Sequence, residues 1–348
     1  ERVAQVLDHL SSFGGLTSNP PKRSWISVGC DGLPYLLAAK IIDKTFVCPQ
    51  CNACMKTGPE DFISHLELHG LPTQSIETFR KYKQIFLRPG LGHFEINMVK
   101  CLFKLLWVVL LCRVSKLLGF RSERAQNYCK AASGHHKSWE ILQIVFRAVS
   151  KELLIAFVRQ NLANGKQPTI DKYFRWLQTV KDPNYLFMQE IVFTCLVALN
   201  IFRIGVRGNN SAVMLAGRQK FSRLFYIMGM TKYQEICSRD MVNRAHYPPE
   251  LQNYVRATEA VSTSGDPQKG EGGDFILENK NKRIKMWLPK GVPVEKQWIR
   301  VNRNLDRLDE VIIISPIMLS LHHEIIHIHH QDMIVVHSNI PSQLGTRH

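Results

Sequence analysis

The chain has 348 residues, 45% hydrophobic and 21% charged, a balance that excludes a disordered polypeptide and allows two or three structural units with a large core. Lys and Arg outnumber Asp and Glu 45 to 29, giving a formal charge of +16. That field attracts polyanions, of which nucleic acid is the commonest, and does not by itself distinguish DNA from RNA or either from an acidic protein. Nine cysteines, an odd number, suit a reducing, intracellular compartment and a metal site better than a disulfide framework. The longest apolar runs, Leu105 to Cys112 and Ile191 to Leu199, fall short of the ~20 residues that cross a bilayer. They read as core helix segments, and no membrane partner is expected. No secretory pattern is visible from Glu1.

Val3, Val6, Leu7 and Leu10 lie on one side of a short opening helix, followed by a breaker-rich linker from Gly14 to Lys22. Trp25 to Cys30 is strand-like and stops at Asp31, after which GLPYLLAAKII fits a short helix. A carboxylate at the end of a buried strand needs a cation, a set of donors or an open cleft; the alternative is that Asp31, Gly32 and Pro34 simply make a turn.

Within the next forty residues comes a Cys/His cluster. Cys48 and Cys51 are two residues apart and His65 and His69 three, with thirteen residues between the pairs. The spacing is that of a Cys2His2 unit: two thiolates of a tight turn share one ion, and His-x3-His puts both imidazoles on one face of a helical turn. Phe46 and Phe62 are placed to form an apolar plug, Pro59, Glu60 and Asp61 mark a helix start, and Cys54 is a spare thiol able to replace Cys51. Four protein ligands describe a closed, structural zinc site.

Ser75 to Tyr82 is expected to be helical and Gln84 to Leu87 a strand, closed by Pro89 and Gly90. The pattern HFEINMVKCLFKLLWVVLLCRVSKLL predicts a long helix whose first turn carries His93, Glu95 and Asn97. Glu95 either favours the helix dipole or joins Asp31 on a cation. From Ser122 to Tyr254 the chain reads as almost wholly helical, with Thr169 a plausible N-cap and Tyr185 to Phe202 apolar on nearly every face. Around the loop that follows and in the next helix, Arg203, Arg207, Arg218, Lys220 and Arg223 are interleaved with Phe221, Phe225 and Tyr226. Such residues grip phosphates and stack bases, or else divide into a solvated face and a core.

GEGG lacks the spacing of a phosphate-binding loop and is discounted. Asp274 is placed to cap FILENKNKRIKMWL, in which Glu278 lies among Lys280, Lys282, Arg283 and Lys285, with Glu278 and Lys282 forming an i,i+4 pair. A second basic helix runs from Glu295 to Leu308. The final 38 residues hold seven of the fourteen histidines. There HHEIIH matches a zincin pattern through His323, Glu324 and His327, a remote metalloprotease alternative without the helical context that this chemistry needs.

SVGCDGLPYLL with the Cys/His insertion after it, RPGLGHFEINMVKCLF, IFRIGVRGNNSAVMLAGRQKFSRLF and KGEGGDFILENKNKRIKMWLPKGVP occur in that order over residues 1 to 310. In this the chain resembles a group of transposon-derived animal proteins related in plan to RNase H-like DDE/DDD-E transposases. The resemblance implies an α/β fold: a mixed RNase H-like sheet with the first Asp on its central strand, a large all-helical insertion and a small zinc-finger-like one. The corresponding segments are 1–22, 23–120 with the insert at 46–70, 121–260, 261–310, and a His-rich tail at 311–348. It places the catalytic acids at Asp31, at Glu95 or its neighbour His93, and at Glu278, the second position departing from the Asp of the pattern. It further implies DNA as the partner, paired Mg²⁺ ions for nuclease or strand-transfer chemistry and a nuclear location. Arg207, Arg218, Lys220, Arg223, Lys282, Arg283 and Lys285 are the expected nucleic-acid contacts. The other reading is a domesticated, inactive descendant that kept a zinc-stabilised fold as a nucleic-acid-binding or scaffold protein.

Overall fold

A computed structural model describes residues 1–288 and 294–304. The HHEIIH segment, Leu305, Leu308 and the 311–348 tail lie outside the described residues. The chain divides into two compact units, Glu1–Leu277 and Glu278–His348.

In chain order the elements are α1 (Arg2–Phe13), β1 (Ile26–Cys30), α2 (Gly32–Lys44), β2 (Thr45–Val47), β3 (Cys54–Lys56), α3 (Pro59–Leu68) and β4 (Ile85–Pro89). A run of helices follows: α4 (Leu91–Leu106), α5 (Cys112–Leu117), α6 (Glu123–Lys130), α7 (His135–Ala163), α8 (Ile170–Leu177), α9 (Pro183–Glu190), α10 (Val197–Arg207), α11 (Ser211–Ile227), α12 (Thr231–Ala245) and α13 (Pro249–Thr258). The short strands β5 (Ala260–Val261) and β6 (Glu271–Gly272) precede α14 (Gly273–Trp287), and α15 (Glu295–Arg303) closes the described chain. One π-helical turn (Trp107–Leu111) joins α4 to α5 and another (Ile191–Leu196) joins α9 to α10.

The described residues are mostly helical (67%), so among them the sheets are accessory to a helical body. Among the described residues the broad mixed sheet expected around Asp31 is replaced by three two-stranded sheets. The pair that matters is β1 with β4, parallel, Ile26 opposite Ile85 and Cys30 opposite Pro89. The outer edge of β4 is closed to a further strand: Ile85 N–H donates to Tyr82 O, Leu87 O accepts from Tyr247 Oη at 3.1 Å, and Pro89 has no N–H to offer. α2 covers one face of the pair with Tyr35, Leu36, Ala39 and Ile42, while Tyr247, Leu251 and Val255 cover the other.

The main core lies among the helices. α4 turns Phe94, Met98, Leu102 and Leu106 inward, against Leu199 and Phe202 of α10 and Phe221 and Phe225 of α11. The two apolar runs expected to be short core segments differ in extent. Pro183–Arg207 is a continuous 25-residue helix, long and apolar enough by composition to cross a membrane. One side of it packs into the helical core, where Ile191, Val192, Leu196, Leu199 and Phe202 are each at most 3% exposed, and 33% of its most apolar window is buried.

Two local expectations are corrected. Ser75 to Tyr82 forms a single 3₁₀ turn, Ile76–Phe79, because Arg80 is drawn into an antiparallel bridge with Phe46 and Lys81 N–H donates to Thr45 O. Arg218, Phe221 and Phe225 do not face solvent. With Met214, Gly217 and Leu224 they recur at helical spacing on the buried side of α11, and the Arg218 side chain is 1% exposed. Its guanidinium meets Asp240 at 3.0 Å and Glu259 at 2.8 Å, while Arg244 reaches the same two acids at 2.8 and 2.6 Å. A buried arginine survives there because two arginines and two carboxylates neutralise one another.

Candidate functional site

The first candidate is the Cys/His unit. β2 and β3 pair antiparallel, and the turn between them closes with Asn52 in the left-handed region at φ 56°. α3 starts at Pro59 with Glu60 and Asp61 in its first turn, and Thr57 Oγ1 donates to the Asp61 carboxylate. This hairpin and helix bring the ligand atoms of Cys48, Cys51, His65 and His69 within 4.8 Å of one another, a group that could hold a metal ion. Cys51 Sγ lies 3.4 Å from His65 Nε2. Phe46 and Phe62, fully buried, stack beneath the group at 4.7 Å. Burial alone would push the Cys48 thiol up, but backbone N–H groups of Cys51 and Gln50, helped by the Cys51 side chain, outweigh it and hold the thiol below its ordinary range. That favours the thiolate a metal requires. Cys54 is exposed on β3 and falls outside the group.

The second candidate lies at the carboxyl ends of the parallel pair, where the polypeptide leaves each strand for a helix. Asp31 directly follows β1 and caps α2, its Oδ1 accepting from Gly32 N–H at 2.5 Å. Gly90 and Gly92 open α4 after β4, and His93 stands in its first turn. Asp274, expected to cap its own helix, instead crosses to α4. It accepts from Gly92 N–H at 3.0 Å, from His93 N–H at 2.9 Å and from His93 Nδ1 at 2.9 Å. Burial opposes its ionisation, yet the His93 side chain and the two backbone donors hold its carboxyl below the usual carboxylate range. An ionised carboxylate only accepts, so Nδ1 carries the proton and Nε2 is aimed the other way. At that end Asp31 Oδ2 lies 3.6 Å away.

Exposure separates the two acids: the Asp31 side chain is 44% exposed and that of Asp274 9%. Asp31 can meet a ligand, whereas Asp274 orients the ring. The close fit explains the glycine-rich stretches on both sides. A Cβ on Gly90 or Gly272 would fall 2.5 Å from an Asp274 oxygen. Tyr233, at the start of α12, stands beside Asp31; burial first, and then the charge of Asp31, push its phenol well above the ordinary value. The exposed Lys232 runs its stem past Gly32, its Cδ 3.3 Å from where a Cβ there would stand.

The other residues expected at a catalytic centre have different partners. Glu95 accepts from His135 Nε2 at 2.9 Å, and Arg203 stands 3.5 Å away with its guanidinium 4.1 Å from the Trp139 ring centre. Glu278 belongs to the second unit, paired with Lys282 at 3.1 Å. Lys220, Arg223, Lys282, Arg283 and Lys285 are exposed, and Arg207 is half-exposed with Glu271 3.4 Å away. In sequence Asp274 looks like an ordinary helix cap; the signal for its role is the glycine cluster before it together with the one before His93. No protein-family model, curated protein or solved structure matches the chain.

Proposed function

We propose that the protein acts on the phosphodiester backbone of nucleic acid at Asp31 and His93, with Asp274 holding the imidazole in place. The carrying observation is that His93, held at Nδ1 by Asp274, brings Nε2 to 3.6 Å from the open Asp31 carboxylate, so that an oriented imidazole and an exposed acid stand together at the carboxyl ends of the strand pair. Two Mg²⁺ ions fit poorly, because Asp31 and Asp274 sit at opposite nitrogens of one ring rather than sharing an ion. A single divalent cation fits better, and the mixed imidazole and carboxylate donors suit Mn²⁺ or Zn²⁺ as well as Mg²⁺. When bound, such an ion supplies Lewis acidity toward a phosphoryl oxygen and a more acidic water. The protein's own contribution is orientation: Asp274 sets the tautomer, Tyr233 steadies Asp31, and Lys232 offers a positive charge to a neighbouring phosphate.

In this reading the Cys48, Cys51, His65 and His69 group takes structural zinc, whose preferred donors are thiolate and imidazole. Lys220 and Arg223 on α11, and Lys282, Arg283 and Lys285 on α14, contact the nucleic-acid backbone, which fits DNA-directed work in the nucleus. The test is cleavage of single-stranded and duplex DNA by the purified full chain with Mg²⁺ or Mn²⁺. Cleavage should vanish in Asp31→Asn, which keeps the helix cap, and in His93→Gln. Activity that persists in both would refute the assignment. One observation favours the alternative of binding without chemistry: Glu95 is already occupied by His135 and Arg203. In that case the same assay would show DNA binding with no metal-dependent cleavage.

A further inference from the structure

The face of the β1–β4 pair that carries Trp25, Ser27 and Phe86 is only partly covered. Phe86 and Trp25 pack on the Tyr247, Leu251 and Val255 cluster, but a Cβ on Gly29 would meet nothing within 4 Å. Beside Ser27 lies a notch of about 300 Å³, lined by Arg23, Ser24, Trp25, Ile26, Ser27 and Tyr254. Trp25 meets Tyr254 edge to face at 5.3 Å, and the Arg88 guanidinium lies 5.7 Å from the Tyr254 ring centre. Tyr254 stays 42% exposed. The hydroxyl of Ser27 is buried yet has no hydrogen-bond partner among the described residues. A buried hydroxyl without a protein partner costs roughly 1–3 kcal/mol, so at the wall of this aromatic notch Ser27 Oγ is a donor and acceptor that a ligand can use.

We propose that this notch binds one unstacked base of a single-stranded nucleic acid. Tyr254 and Trp25 supply aromatic surface. Ser27 Oγ and the outward-facing peptide groups of the free β1 edge pair with the polar rim of the base. Exposed Arg23 takes the adjoining phosphate. The volume is at the lower end of ligand pockets and suits a base better than a large cofactor, and the chain's charge of +16 favours a polyanion over a peptide side chain. From Ser27 at the notch wall to Asp31 beyond the far end of β1 is four residues, about 13 Å at ordinary strand rise. A strand anchored at the notch would therefore run along the open edge toward Asp31. Base binding does not depend on whether Asp31 supports cleavage.

The experiment is fluorescence titration of the full chain with a single-stranded oligonucleotide of about ten residues and with the matching duplex. Wild type should prefer the single strand, and its Trp25 emission, identified by difference from Trp25→Phe, should be quenched. Tyr254→Ala should weaken single-strand binding roughly 5- to 100-fold, and Ser27→Val about 2- to 10-fold, with duplex affinity unchanged. Tyr254→Phe should restore most of the affinity, which a merely misfolded variant could not do. Equal single-strand affinity in Tyr254→Ala, Ser27→Val and wild type would overturn the proposal. So would failure of the wild type to bind single strands. Loss of cleavage with these binding differences intact would count against the Asp31 reading alone.

Discussion

Replacing Asp274 by Ala removes three acceptor contacts at once, and their cost can be built from the geometry. Two are the backbone N–H groups of Gly92 and His93 at 3.0 and 2.9 Å, in effect a helix cap supplied from a distant element, and losing a cap costs about 0.5–2 kcal/mol. The third is the charge-assisted bond from His93 Nδ1 at 2.9 Å, with a net contribution of about 1.5–3 kcal/mol. Removing a buried carboxylate recovers part of its desolvation, so the expected loss is about 3 kcal/mol in total. Asp274→Asn keeps the volume but turns an amide N–H₂ toward one of the donors and should lose at least ~1 kcal/mol. Urea unfolding in metal-replete buffer measures both, read from the midpoint at unchanged slope. Glu271→Gln is the control: it breaks only a partly exposed contact with Arg207 at 3.4 Å and should cost less than ~1 kcal/mol. An Asp274→Ala loss under ~1 kcal/mol, or an Asp274→Asn variant as stable as wild type, would show that the carboxylate does not hold the end of α4.

Arg218→Ala should destabilise the protein by about 3–5 kcal/mol, since it leaves Asp240 and Glu259 buried against Arg244 alone. Lys220→Ala, on the exposed side of the same helix, should stay within ~0.5 kcal/mol in the same urea experiment. Acid should be destabilising through Glu259. Burial works against its ionisation, but Arg218 and Arg244 hold the folded carboxyl below the reference value of 4.5. Its contribution is therefore complete above that value and is lost as the pH falls through the folded one. Melting temperatures of wild type and Glu259→Gln, followed from neutral pH down to about pH 3, should converge toward the acid end. Parallel curves would contradict this.

What was legible in the sequence was legible because it is local. The Cys48, Cys51, His65 and His69 unit depends on spacings within some twenty residues, and the fold gathers those side chains. Asp31 stood out as a charge at the end of an apolar run, and it does follow the last strand residue. Asp274 could not be read in this way. In its own neighbourhood it looks like a cap for α14, and the α4 amides that recruit it are some 180 residues earlier. Arg218 misled for a related reason: in one dimension a cation beside aromatics resembles a nucleic-acid grip. Only Asp240 and Glu259, brought in by α12 and the segment after α13, show it to be an internal ion pair. Sheet width is equally non-local, since it depends on Tyr247 reaching back to Leu87 O and on Pro89 blocking an edge.

The Cys/His unit has a structural consequence beyond its own boundaries, because it lies within the crossover from β1 to β4. Lys81 N–H donates to Thr45 O at 2.9 Å and Phe46 bridges Arg80, so the folded unit pins the two ends of its own segment together. Its core is Phe46, Cys48, Phe62 and Leu66 with a few partly buried neighbours, a small apolar surface to which a metal bound as proposed would add most of the support. With a metal bound there as proposed, stripping it would leave a disordered loop of roughly 35 residues to be closed when β1 pairs with β4. At (3/2)RT ln n that costs on the order of 3 kcal/mol. Chelation should therefore speed hydrogen exchange at the β1 and β4 amides by up to about 100-fold and weaken the meeting of Asp31 with His93, although neither residue touches the stripped site. The Phe94, Phe202 and Phe225 core between α4, α10 and α11 should keep its protection. Cys48→Ser should reproduce the effect without chelator. If β1 and β4 stay protected after verified metal loss, the unit is an appendage and not the clasp of the crossover.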